Sequence, residues 1–289
     1  MTAQLIDGKA MAAELRAELR VEVEQYIQQQ GHAPEIVVVR VGEDAASGVY
    51  SKAILRAAEG VGLSARLEQL SAQISQQELQ ELLRRLNLHP LVRGMIVQMP
   101  LPAHLAQQVV ADTVEAEKDI DGISPRSAGN LFLGLPSFLP ATAAAVLEIL
   151  ERTHTPLAGK RVVVISRSNV VGKPLALMLL QKNATVTICH SRTSDLASLT
   201  RQADVLVAAA GRIHMVTGEM VKPGATVIDV GINANPAGGG ITGDVDFASV
   251  EAVAGALTPV PGGVGPLTNL LLLKQSMQSA WQAAVVPIK

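Results

Sequence analysis

Cysteine is almost missing from this 289-residue chain: Cys189 stands alone. That excludes an internal disulfide framework and a multi-cysteine metal site, and it suits a reducing compartment. Aromatic residues are scarce, with one Trp, two Tyr and three Phe, so the core has to be aliphatic and no platform for stacking nucleic-acid bases is available. Charge of one sign is not in excess either. Lys and Arg total 24 against 26 Asp and Glu, a net of -2, which builds no broad basic field for nucleic acid. No apolar run approaches the ~20 residues that span a bilayer. The N-terminal MTAQLIDGKAMAAELRAELR has no basic stretch followed by an apolar block and reads as an amphipathic helix. The expectation is a soluble cytoplasmic protein with neither a nucleic-acid nor a membrane partner.

What the chain does have is aliphatic bulk. Hydrophobic residues make up 48%, enough for two domains or one large α/β domain. Leu15, Leu19, Val23 and Ile27 keep helical spacing and stop at Gly31. Ile36–Val41 and Gly94–Met99 read as buried strands, with helices expected over 47–59 and 76–87, a βαβαβ pattern that predicts a mainly parallel sheet. Residues 119–140 are rich in Gly, Pro and Asn and read as a hinge. Beyond it a helix (141–151), a strand (RVVVI, 161–165), a helix (172–181) and a strand (184–189) alternate, continued by strands at 205–209 and 226–230 and a last helix from about 267 to 285.

Several segments carry polar or conformationally special residues where a ligand would sit. Thr258–Thr268, TPVPGGVGPLT, sets Pro259, Pro261 and Pro266 among Gly262, Gly263 and Gly265; a rigid loop nearly free of side chains presents its main chain. The turn after RVVVI runs Ser166-Arg167-Ser168-Asn169-Val170-Val171-Gly172, the place of a phosphate-binding first βα turn, although not a plain GxGxxG. The next strand ends in His190-Ser191-Arg192 and lacks the acid that would hold a ribose 2′-hydroxyl. Arg192 and Arg167 offer guanidinium forks for phosphate, so NADP is favoured over NAD. In the first half, Gln98 is the one strongly polar residue of its run. Asp119 and Asp121 stand two apart and would share a face if extended; no metal is expected there, since no histidine is close by. Ser47 is an expected helix N-cap, with Tyr50 in the first turn.

Together SGVY, IVQMPLP, KDIDG, SRSNVVGKP, CHSRT, VIDVGIN and TPVPGGVGPLT resemble, in order and along essentially the whole chain, the bifunctional methylenetetrahydrofolate dehydrogenase/cyclohydrolase family, the FolD proteins. The resemblance implies a two-domain α/β fold: an N-terminal βαβ folate-site domain (1–138 with 268–289) and a Rossmann-like NADP domain (139–267), with a cleft between. It implies NADP-dependent oxidation of 5,10-methylenetetrahydrofolate, hydrolysis of the methenyl product to 10-formyltetrahydrofolate, and a homodimer. By position, Tyr50 is similar to the tyrosine that stacks on folate, Gln98 to the glutamine that positions the catalytic lysine, and Asp121 to the acid that holds the pterin. Ser166, Arg167, Ser168, Ser191, Arg192 and Ile232 resemble cofactor contacts, and Pro261, Gly262 and Gly263 would line the cleft.

Two positions depart from that pattern. Ser166 replaces a usual glycine, with a hydroxyl able to bond phosphate. More consequentially, the family's catalytic lysine follows the tyrosine by four residues, and here that position is Ile54. At about 100° per residue, Lys52 lies about 200° from Tyr50 and Arg56 about 200° from Ile54, so neither substitutes. The expectation is a dehydrogenase with weak or absent cyclohydrolase activity. A non-catalytic folate- or NADP-binding protein and a dehydrogenase of a different substrate stay open as alternatives.

Overall fold

The computed structural model describes residues 2–236 and 238–285. In chain order its elements are β1 (Gln4–Leu5), α1 (Gly8–Gln30), β2 (Glu35–Val41), α2 (Ala45–Glu59), β3 (Ser64–Leu70), α3 (Gln76–Leu88), β4 (Val92–Val97), α4 (Gln107–Thr113), α5 (Pro125–Leu133) and α6 (Ala141–Arg152). Then come β5 (Arg161–Ile165), α7 (Gly172–Gln181), β6 (Thr185–Cys189), α8 (Leu196–Thr200), β7 (Val205–Ala208), β8 (Thr226–Asp229), β9 (Asn233–Ala234), β10 (Ile241–Thr242), α9 (Phe247–Glu251), β11 (Ala256–Leu257) and α10 (Gly265–Val285). Two compact units result, residues 14–139 with 269–289 and residues 1–13 with 140–268. No helix among the described residues is long and apolar enough to cross a membrane.

The first unit carries a parallel sheet in the order β3-β2-β4. Its middle member in sequence, β3, escaped sequence reading because SARLEQL has no buried side chain: it is an edge strand with charged residues, the composition that protects edges. The crossovers β2→β3 and β3→β4 run in opposite directions across the sheet, so right-handed connections put α2 and α3 on opposite faces. Leu79, Leu83 and Leu86 of α3 accordingly pack with Val37, Val39, Met95 and Val97 on one face. The expected hinge contains α5, which has its own start and stop: Ser124 accepts the Ser127 N–H, Pro125 opens the helix, and Gly134 closes it at φ 71°. α10 is tied into this unit by Gln275, whose Nε2 donates to the Ile120 (2.7 Å) and Leu139 (2.9 Å) carbonyls.

The second unit holds, among the described residues, a six-stranded sheet in the order β1-β11-β8-β7-β5-β6, with every pairing parallel. Val163, Ile165, Leu206, Val227 and Leu257 fill one side of it. The N-terminal stretch was expected in the first domain and instead groups with this unit, its Gln4–Leu5 joining the sheet. β1 pairs with β11, and Gln4 and Ile6 donate to the Gly255 and Leu257 carbonyls, each at 2.9 Å. A two-residue strand has no periodicity to read; only an exposed edge at β11 gives it a place.

Candidate active site

α2 starts one turn earlier than its sequence suggests. Asp44 is the cap, its carboxylate accepting the Ser47 N–H at 2.7 Å. Ser47 is thus a helical residue, its hydroxyl donating back to the Asp44 carbonyl (3.0 Å), and Tyr50 falls in the second turn. The physical reason is that an Asp carboxylate reaches the free N–H three residues on as well as a serine does. Buried positions then recur at Ser47, Ser51, Ile54 and Ala58, a helical stripe facing the sheet. Ile54 is 0% exposed and Tyr50, on the flank of that stripe, 36%. Lys52 and Arg56 point to solvent, as their angular positions require.

Gln98 sits just beyond β4, its N–H donating to the Val39 carbonyl (2.9 Å). Val39 pairs with Val97 on the α3 face, so alternation turns Gln98 to the opposite face, the one α2 covers. The Gln98 side chain is buried, and its Nε2 has no hydrogen-bond partner among the described residues. An unmet buried donor costs about 1–3 kcal/mol, which fits a group kept for a ligand. The Tyr50 hydroxyl is pushed above its ordinary pKa, first by burial and then by the negative charge of Asp121. It therefore stays protonated at neutral pH.

The two acids expected on one face are separated by a turn, closed by the Gly122 N–H to the Asp119 carbonyl at 2.9 Å. Asp119 is buried and accepts from Ile123 N (3.1 Å), Ser124 N (2.8 Å) and Ser127 Oγ (2.7 Å), so it organises the entry to α5. Asp121 is half-buried and near Tyr50. Lys118 is equally structural: Nζ donates to the carbonyls of Leu86 (3.0 Å), Asn87 and His89 (2.8 Å) at the end of α3. Burial, and next the Arg93 charge, bring its pKa down to about 8.

In the other unit the chain reverses direction across the sheet between β5 and β7, and a ligand of an open α/β sheet sits at the carboxyl ends of such strands. A cavity of about 370 Å³ lies there, lined by Ser166, Arg167 and Ser168 after β5, by His190, Ser191 and Thr193 after β6, and by Ala209, Ala210 and Arg212 after β7. Four of the six residues expected at the cofactor line it. Arg192 and Ile232 do not; both are exposed, Ile232 at 68%. At Gly172 an added Cβ would stand 2.2 Å from the Ser166 carbonyl oxygen, so the helix can approach the turn only without a side chain. Ser166 itself is not among the residues with positive φ, and replacing the usual glycine there brings no backbone strain. Its hydroxyl donates to Ser168 Oγ (3.3 Å), which in turn accepts Val171 N (3.1 Å) and Gly172 N (3.3 Å) at the start of α7.

Sequence reasoning missed the acids that hold these loops. Asp244 is fully buried and accepts Ala210 N (2.6 Å), Gly211 N (2.9 Å), Arg212 N (2.8 Å) and Asn233 Nδ2 (2.9 Å). Asp229 accepts Gly231 N (2.9 Å), Asp244 N (3.0 Å) and Val245 N (2.9 Å), and its own N–H donates to Thr258 Oγ1 at 2.8 Å. That chain of bonds links the cavity to the TPVPGGVGPLT loop. There Gly262 has φ 114°, and a Cβ on Gly263 would meet the Pro259 carbonyl at 2.7 Å. Acids flanked by apolar residues, as in VIDVG and GDV, were the signal available. Pro261, Gly262 and Gly263 belong to this unit.

Comparison with known proteins gives the family. Residues 140–284 match the NAD(P)-binding domain model of tetrahydrofolate dehydrogenase/cyclohydrolase, and residues 6–121 match the catalytic domain model. The chain belongs to the tetrahydrofolate dehydrogenase/cyclohydrolase family. It is 49% identical over 280 residues to the bifunctional protein FolD of Moorella thermoacetica, with 97% of this chain and 99% of that protein covered. The FolD crystal structure from Campylobacter jejuni superposes with a TM-score of 0.94 at 40% identity over 97% of this chain and 99% of the other. The Trypanosoma brucei FolD structure, solved with NADP cofactor and an inhibitor, gives 0.93 at 34% identity, covering 99% and 100%. Within this family the second unit is the NAD(P)-binding domain. Its cavity fits such a dinucleotide: the wall carries two guanidinium groups and no carboxylate, and the helix entry has the close glycine that pyrophosphate recognition uses.

Proposed function

We propose that this protein is an NADP-dependent 5,10-methylenetetrahydrofolate dehydrogenase whose methenyltetrahydrofolate cyclohydrolase activity is weak or lost. The observation that carries the proposal is Ile54, fully buried four residues after Tyr50 on the inward stripe of α2, with Lys52 and Arg56 both directed to solvent. The cofactor is NADP, which when bound supplies the hydride acceptor.

The roles of the chain's own residues follow from their state. Tyr50 offers an aromatic face and a neutral hydroxyl. Gln98 offers amide hydrogens with no internal partner, and Asp121 offers a carboxylate to the N–H groups of a pterin. Ser166, Arg167, Ser168 and Ser191 hold the dinucleotide. The first set offers groups to a folate and the second to a dinucleotide; oxidation leans on positioning of the reactants, which supplies a large share of a hydride-transfer rate. Hydrolysis asks for more: a water must be deprotonated and protons moved. Isoleucine has neither lone pair nor proton, Gln98 does not titrate, and Tyr50 keeps its proton. The missing acid–base help is worth roughly 10²–10⁴-fold.

A paired assay on purified protein tests this reading. NADPH formation from methylenetetrahydrofolate and loss of methenyltetrahydrofolate absorbance are followed separately, the second against its spontaneous hydrolysis. Reduction of NADP without accelerated hydrolysis is expected. Hydrolysis at a rate comparable to oxidation would overturn the assignment, and silence in both would point to a binding protein or a different substrate.

A further inference from the structure

We infer that Arg212 is a specificity residue for the 2′-phosphate of the dinucleotide, acting from the wall of the cavity opposite Arg167. The inference rests on the NADP reading above and adds a residue to it. Arg167 follows β5 and Arg212 follows β7, and both line the same cavity. Neither guanidinium makes a hydrogen bond or ion pair among the described residues, and no Asp or Glu lines the wall. Two exposed cations on the wall of one space, with no carboxylate beside them, favour an anion there.

The placement of the backbone is no accident of a loose loop. The Arg212 N–H is bound by Asp244 Oδ1 at 2.8 Å, and the two residues before it are bound by Oδ2 of the same buried carboxylate. The position of the cavity selects which phosphate is met. Its third wall is the end of β6, with His190, Ser191 and Thr193, the station of the adenosine ribose in a doubly wound sheet. Gly172 and Val171, at the α7 N-terminus where pyrophosphate binds, do not line it. His190 Nδ1 accepts the Arg192 N–H at 3.2 Å, which leaves Nε2 as the ring nitrogen able to donate. The wall is one of donors, suited to a phosphate monoester.

The test is calorimetric titration of the full chain with two probes, adenosine 2′,5′-bisphosphate and adenosine 5′-monophosphate, which differ only in the 2′-phosphate. Wild-type protein should prefer the bisphosphate. Arg212→Leu should weaken the bisphosphate by about 10- to 100-fold, the worth of a charge-assisted hydrogen bond, and leave the monophosphate unchanged. Arg212→Lys should recover part of the loss. The Arg212 side chain is exposed, and an unchanged melting temperature would confirm that the variants fold. Equal weakening of both probes, or none, would overturn the role of Arg212 while the wild-type preference still stood. A wild-type protein indifferent to the 2′-phosphate would overturn the cofactor reading along with it.

Discussion

Ile54→Lys is the perturbation that separates the two chemistries of this family within one chain. Ile54 is fully buried, and a fully buried isoleucine contributes about 1.5–3 kcal/mol through apolar transfer. A lysine keeps most of that contact through its methylene stem but brings an ammonium into a low-dielectric setting, which depresses its pKa. The folding cost is therefore expected at about 1–3 kcal/mol, tolerable for a domain of ordinary stability. The same depression of pKa moves the amine toward neutrality, where an acid–base catalyst works best. Methenyltetrahydrofolate hydrolysis should rise by roughly 10²–10⁴-fold, while the oxidation rate, which leans on positioning, changes much less. Ile54→Met changes shape without adding a proton-transfer group and should leave hydrolysis at the wild-type level. The readout is the absorbance decay of the methenyl substrate, run beside NADPH formation on the same preparations. A folded Ile54→Lys protein with no gain in hydrolysis would refute the argument, as would a wild type that already hydrolyses fast.

Other consequences concern the scaffold around the sites. Gly172→Ala places a methyl 2.2 Å from the Ser166 carbonyl oxygen; forcing that contact should cost about 1–3 kcal/mol and weaken dinucleotide binding, and a variant that titrates NADP like wild type would show the turn to be pliable. Lys118→Met leaves the Leu86, Asn87 and His89 carbonyls without their shared donor and should lower stability by about 2–3 kcal/mol in denaturant melts; an unchanged midpoint would mean water replaces the ammonium. Burial raises Asp229 to about 6 against three backbone hydrogen bonds that lower it, with the Asp244 charge adding to the rise. The folded protein thus holds this proton between about pH 4 and 6, where the unfolded chain has released it, so the group's contribution to stability falls by about 3 kcal/mol as pH rises through that window and is level above it. Melts of wild type and Asp229→Asn from pH 4 to 7.5 should diverge by that amount; parallel curves would refute the shift.

Much of this was legible from residue order alone. Strands with continuous apolar runs, such as RVVVI and IVVVRV, announce themselves because parallel strands are buried on both faces. The phosphate turn, Gln98 at a strand end and the Pro/Gly loop were readable for the same reason: each is an exception within a regular pattern. β3 was not readable, because an edge strand needs no apolar signature, and β1 was not, because two residues have no period. Of the paired acids, residue type marked both Asp119 and Asp121 as candidates, but only the turn between them decided that Asp119 would be spent on the α5 backbone while Asp121 stayed near Tyr50.

The sequence by itself determined the family, the alternation of strands and helices, and the absence of a lysine four residues after Tyr50, since these depend on local periodicity and on residue identity. Tertiary structure alone decided which groups share a space. Arg212 and Arg167 are far apart in the chain and line one cavity because parallel strands align their carboxyl ends. Asp244 reaches the loop after β7 from the segment that follows β10, 32 residues beyond Arg212 in the chain. No spacing rule connects such residues; the sheet does, by bringing distant segments into register before any side chain makes its contact.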